Sequence, residues 1–162
     1  MTEKQITAKI VFCALDELTD TEKKLIQLAK QATSKAYAPY SNFQVGAAVL
    51  LDNGEMLTGS NQENAAFSSG LCAERVVLFY ANARYPEAKV LAFAVAAQNM
   101  IGFSSEPISP CGTCRQVLLE AENRYRSKIR ILLYGADEIA IVDSVKDLLP
   151  LSFDVSSMEI KD

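Results

Sequence analysis

The chain has 162 residues, 49% hydrophobic and 22% charged, and its 16 lysines and arginines against 20 acidic residues leave a net charge of −4. That length fits one domain over residues 1–162, with a core large enough to need no disulfide staple, and the acidic balance argues against nucleic acid as a main partner. Histidine is absent, which excludes Ser-His-Asp and Cys-His catalysis and leaves only thiolates and carboxylates to hold a metal.

Residues 6–13 mix apolar and polar positions and are expected to form an edge strand, with Cys13 a buried small hydrophobe. Thr19, Asp20 and Thr21 are N-cap candidates, and Leu25, Leu28, Ala29, Ala32 and Ala36 follow at helical spacing. That helix is expected to run to about Tyr37, with Pro39 stopping it. Val45 to Leu51, the turn Asp52-Asn53-Gly54 and Glu55 to Ser60 read as a hairpin. Asn61 to Leu71 is too long and irregular for a simple turn. Cys72 to Arg84 reads as a helix, and the almost purely apolar Val90 to Ala97 as a central strand covered on both faces. After a loop to Ser109 come a helix from Cys111, strands at Ile129–Tyr134 and Ile139–Val142, and a turn capped by Ser144. Helices alternating with apolar strands predict an α/β fold, a mixed sheet between helical layers.

Met1 opens no apolar signal segment, and no apolar run reaches the about 18 residues of a membrane span. A cytoplasmic location is therefore expected, where thiols stay reduced and a cysteine cluster is best suited to metal.

Cys111 and Cys114 stand at i and i+3, so at helical spacing both can reach one ion at about 2.3 Å. Alone, such a pair also fits a redox dithiol or half of a structural zinc site. A structural site needs a fourth thiolate, and Cys13 has no partner at that spacing. Adding Cys72 gives three thiolates and an open position, the count of a catalytic zinc. Glu74, two residues past Cys72, points away from the ligand side and stands where an acid/base is needed. Three thiolates and Zn²⁺ carry −1, and hydroxide makes −2. The two helix starts offset that charge, and Arg75 is expected to support the site by donating to a thiolate. Arg115 likewise directly follows a ligand segment.

At these residues the sequence resembles the cytidine deaminases. The zinc deaminases of that type combine a three-cysteine ligand set, a non-ligand glutamate and a P-C-x-x-C segment. Beyond the signature, residues 40–48 (YSNFQVGAA), 61–65 (NQENA), 72–75 (CAER), 109–116 (SPCGTCRQ) and 148–153 (LLPLSF) are similar to family blocks in family order. Cys-Ala-Glu in place of His-Ala-Glu is similar to the small-subunit class that forms homotetramers. The resemblance implies a three-layer α-β-α fold with a mixed five-stranded sheet, to which residues 6–13 would add an edge strand. It implies one Zn²⁺ per subunit and hydrolytic deamination of cytidine and 2′-deoxycytidine to the uridine products and ammonia, a pyrimidine-salvage reaction. Glu74 would be catalytic and Cys72, Cys111 and Cys114 the metal ligands. Asn61 and Glu63 would bind the ribose 3′-hydroxyl, Phe43 would line the nucleoside pocket, and the Ala73 N–H would meet the base carbonyl. Ala65, Phe67 and Phe153 would complete sites across subunit interfaces, Phe67 standing where many members carry tyrosine. A deaminase for another aminopyrimidine nucleoside, such as blasticidin S, is the alternative within the fold; a structural zinc or redox dithiol protein is the alternative outside it.

Overall fold

The computed structural model describes residues 1–158; the last four residues of the expected 1–162 unit lie outside the described residues. A six-stranded sheet, ordered β1-β6-β5-β4-β2-β3, separates two helical layers. Its strands are β1 (Val11–Cys13), β2 (Gln44–Leu51), β3 (Met56–Ser60), β4 (Val90–Gln98), β5 (Arg130–Tyr134) and β6 (Ile139–Val142). The β4–β5 pair is parallel, with α3 (Gly112–Tyr125) as its crossover, and the other pairs are antiparallel. Helix α1 (Asp20–Ala32) packs on one face, and α2 (Ala73–Arg84) and α3 on the other. Among the described residues no helix is long and apolar enough to cross a membrane.

Strand alternation sets the spacing of the layers. Toward α1 the sheet presents Ala48, Ala92, Ala94 and Ala96; toward α2 and α3 it presents Ala47, Val49, Phe93 and Val95. At Gly46 a Cβ would lie 2.1 Å from the Ala29 carbonyl oxygen, and at Gly59 it would lie 2.8 Å from the Val77 nitrogen. Both helices therefore touch the sheet backbone where glycine leaves room.

Two expected elements are shorter than their patterns. The 6–13 strand contracts to Val11–Cys13, which alone pairs, with Ile139–Ile141 of β6. Among the described residues its outer edge has no strand neighbour; Cys13 is half-buried and not core, and Phe12 is exposed. Helix α1 ends at Ala32, not near Tyr37. The Thr33 hydroxyl donates to the Lys30 carbonyl, and the chain tightens into a 3-10 turn over Thr33–Lys35. The start of α1 is as expected: Thr19 and Glu22 form a reciprocal capping box.

Glu22 also joins α1 to β5. Arg130 Nε donates to its carboxylate at 2.6 Å, and a second guanidinium nitrogen pairs with Asp143. Burial pushes the Glu22 carboxyl up, but hydrogen bonds from Arg130 and Thr19 outweigh it and hold it below its usual 4.5. A depressed folded-state value stabilises above the unfolded value and is lost as pH falls through the folded one. The Arg130 side chain is 42% exposed, so solvent screening keeps the pair to about 1 kcal/mol. Arg130→Met should lower the melting midpoint by about 2–4 °C at pH 7 and by less at pH 3.5; an equal deficit at both values would refute the linkage.

Candidate metal centre and active site

Helices α2 and α3 point their N-termini at one spot. Cys72 and Cys111 occupy the two N-cap positions, and neither side chain caps its own helix. The first-turn N–H groups thus remain available to negative charge. Pro110 lies one residue before the cap, outside the helix. Cys111 Sγ is 3.4 Å from Cys114 Sγ and 4.0 Å from Cys72 Sγ, and all three sulfurs lie within 4.8 Å of one another. A tetrahedral zinc with bonds of about 2.3 Å requires sulfurs about 3.8 Å apart. The three thiols fit the ion.

Their electrostatics suit a cation as well. Burial, then the charge of Glu74, pushes the Cys114 thiol up. Burial also opposes ionisation of Cys111, but hydrogen bonds from Cys114 and Cys72 outweigh it and hold that thiol below its usual value. One thiolate is thus favoured at the expense of its neighbour, and a bound dication would favour all three. Arg75 contributes to this balance, its Nη2 lying 3.8 Å from Cys72 Sγ. Its Nε is buried without a partner, a donor still unmet beside the sulfur cluster. Arg115, the other arginine following a ligand, does different work. It donates to the Pro110 and Leu148 carbonyls and the Ser109 hydroxyl at 2.7–2.8 Å, tying the ligand loop to the C-terminal turn.

Glu74 is 5% exposed. Burial pushes its carboxyl up, against hydrogen bonds from its own N–H and from Cys114 and the charge of Arg75. A carboxyl so placed holds a proton more readily than one in water, the property an acid/base needs. Beside it lies a cavity of about 200 Å³, walled by Cys72, Cys111, Phe43, Asn61 and Ala73. Val45, Val95, Ile108 and Ser109 complete the wall. Sequence reasoning missed the first three: the valines carried only a strand signal, and Ile108 was an isolated apolar residue in a polar loop. That loop is pinned from behind, since Ala136 and Asp137 donate to the Ser104 and Ser105 carbonyls.

The remaining expected residues are distributed differently. The Asn61 amide donates to the Phe43 carbonyl and accepts from the Val45 N–H, at 2.9 and 2.8 Å. Glu63 does not line the cavity; its carboxylate accepts from the Tyr40 and Ser41 N–H groups and is held below the usual carboxylate value by Ser41 and Tyr40. With Ala65 and Phe67 it lines an adjoining open groove of about 700 Å³. Phe67 is 99% exposed and Phe153 61%. The Phe153 carbonyl accepts from Gln116 of α3 at 2.9 Å, so this residue stays near the α3 start.

Three clustered thiols with a buried carboxyl beside them fit the donor set of a zinc protein. Residues 19–127 match the family model described as the cytidine and deoxycytidylate deaminase zinc-binding region. A cytidine deaminase of Halalkalibacterium halodurans is 47% identical over 98 residues, covering 59% of this chain and 68% of that one. One from Mycobacterium tuberculosis is 36% identical over 135 residues, covering 80% and 87%. The crystal structure of cytidine deaminase from Burkholderia pseudomallei superposes with a TM-score of 0.70 at 38% identity, covering 84% of this chain and 100% of that one. The chain belongs to the cytidine and deoxycytidylate deaminase family and is a zinc enzyme.

Proposed function

We propose that the protein hydrolyses cytidine and 2′-deoxycytidine to uridine and 2′-deoxyuridine, releasing ammonia, as a pyrimidine-salvage enzyme of the cytoplasm. The observation that carries this reading is the buried Glu74 carboxyl facing a small cavity beside three clustered thiols. The relatives' names, cytidine deaminase, support the substrate.

Cys72, Cys111 and Cys114 would hold the zinc, which when bound would supply an activated water near neutral pH. Glu74 accepts a proton from the attacking water and delivers it to N3 as C4 becomes tetrahedral; it then takes the proton of the new C4 hydroxyl and passes it to the amine, so that the C4 carbonyl forms as the C4–N bond breaks and ammonia leaves. Phe43 supports the face of the base, and the Ala73 N–H, free at the start of α2, meets its carbonyl. Asn61 keeps one N–H beyond its bond to Phe43, and Glu63 keeps one carboxylate oxygen beyond its bonds to the 40–41 turn. These are the groups offered to the ribose 3′-hydroxyl. A cavity of about 200 Å³ is below the usual 300–1,000 Å³ of ligand pockets, so it suits the base while the sugar lies outside. Ala65, Phe67 and Phe153 then complete a neighbour's site in a homotetramer, a reading supported by the exposure of both aromatic rings.

Product analysis on zinc-loaded protein with cytidine, deoxycytidine and blasticidin S tests the assignment. Uridine products are expected; turnover of blasticidin S alone, or of none, would overturn it. Arg75→Gln should weaken zinc retention about tenfold, read as faster release to a chelating dye. Unchanged release and turnover would remove Arg75 from the site.

A further inference from the structure

Far from the thiols, a second concave site has no part in the deamination chemistry. A cavity of about 240 Å³ lies where α3 ends and the 3-10 turn Val145–Asp147 begins. Its walls include Arg126, Lys128 and Lys146, together with Ser127, Asn123 and Glu122. Among the described residues none of these three cations forms an ion pair; the described pairs both belong to Arg130. Asp154 feels the charge of Lys146 without forming an ion pair with it among the described residues.

The carboxylate on the wall is already committed. Glu122 is 6% exposed, and its oxygens accept from the Ile129 N–H, the Val145 N–H and the Ser144 hydroxyl at 2.8–3.0 Å. Three cations against that one carboxylate leave a surplus of two positive charges. Arg126 holds φ at 49°, the left-handed cap position where glycine is usual.

We propose that this cavity binds a phosphoryl group, either inorganic phosphate or the terminal phosphate of a larger molecule whose remainder stays outside. A tetrahedral anion matches the surplus charge, and its oxygens accept from the Ser127 hydroxyl and the cationic heads. The volume equals about eight waters at about 30 Å³ each, room for a phosphate and its shell but not for a nucleoside. The anion joins Lys146 of the turn to Arg126 and Lys128 at the end of α3. That helix is about 21 Å long and carries Cys114 in its first turn, so the ligand adds stability to the element holding the metal without touching the chemistry.

Calorimetric titration of the zinc-loaded full chain with inorganic phosphate, against chloride at matched ionic strength, tests the site. Saturable binding below about 10 mM is expected. Lys128→Gln and Lys146→Gln should each weaken it about tenfold with cytidine turnover and melting midpoint unchanged in phosphate-free buffer. A parallel titration with adenosine monophosphate separates the sources: equal affinity assigns free phosphate, and tighter binding assigns the phosphate end of a larger ligand. No saturable heat with either, or equal binding by both variants, overturns the proposal.

Discussion

Glu74→Gln is expected to keep its zinc and its fold and to lose cytidine turnover by about 10²–10⁴-fold or more. Glutamine has the shape of glutamate and retains the hydrogen-bonding reach of the side chain. It cannot take a proton from water, donate it to N3 or pass one to the amine, so each proton transfer loses its carrier. The loss should fall on kcat, because the side chain acts as the base changes geometry and not while the planar base is bound. Stability should move the other way. Burial disfavours the ionised carboxyl of wild-type Glu74, and an uncharged amide removes that cost, so the variant should melt at the same temperature or higher. Steady-state absorbance assays, metal analysis and thermal melts read the three quantities. A variant with zinc bound and kcat within tenfold of wild type would refute the assignment.

Gly59→Ala should damage the site from a distance. The added methyl would meet the Val77 nitrogen at 2.8 Å, the Ala73 carbonyl oxygen at 2.9 Å and Val77 Cβ at 3.0 Å. The first two are helix backbone atoms, which cannot swing aside as a flexible side chain does. Helix α2 must retreat by about half an ångström, the tolerance within which catalytic groups must be held. Cys72 and Glu74 move with it. Overpacking of this kind costs about 1–3 kcal/mol, or about 2–12 °C in melting midpoint for a chain of this size. Zinc retention and kcat should fall together, in contrast to Glu74→Gln, where only kcat falls. A Gly59→Ala protein with wild-type kcat and midpoint would show that α2 is not seated on β3 as described.

Much of this was legible in the residues. Thr19 with Glu22 three places on announces a helix start through two reciprocal hydrogen bonds, and that capping box is present. Asp52-Asn53-Gly54 announces a turn, and Gly54 adopts φ 86° there. The cysteine cluster could be assembled because Cys111 and Cys114 share a face of one helix and histidine is absent. The fates of polar side chains were not legible. Asn61 and Glu63 look alike in sequence, yet one borders the cavity and the other clamps the 40–41 turn, since their partners are backbone groups some 16–23 residues earlier. Arg115 follows a ligand just as Arg75 does, but its nearest acceptors are carbonyls brought close by the C-terminal turn.

The chain by itself thus determined the cluster of three thiols, the carboxylate beside them and the helices that present them, because spacing along one element decides which side chains share a face. Only the tertiary structure decided which glycines bear helices at contact distance, that Glu122 is spent on β5 and the Ser144 turn, and that Arg126, Lys128 and Lys146 stand around one cavity. Those are contacts between elements distant in sequence or between turns of non-repeating geometry, where no periodicity records the neighbour.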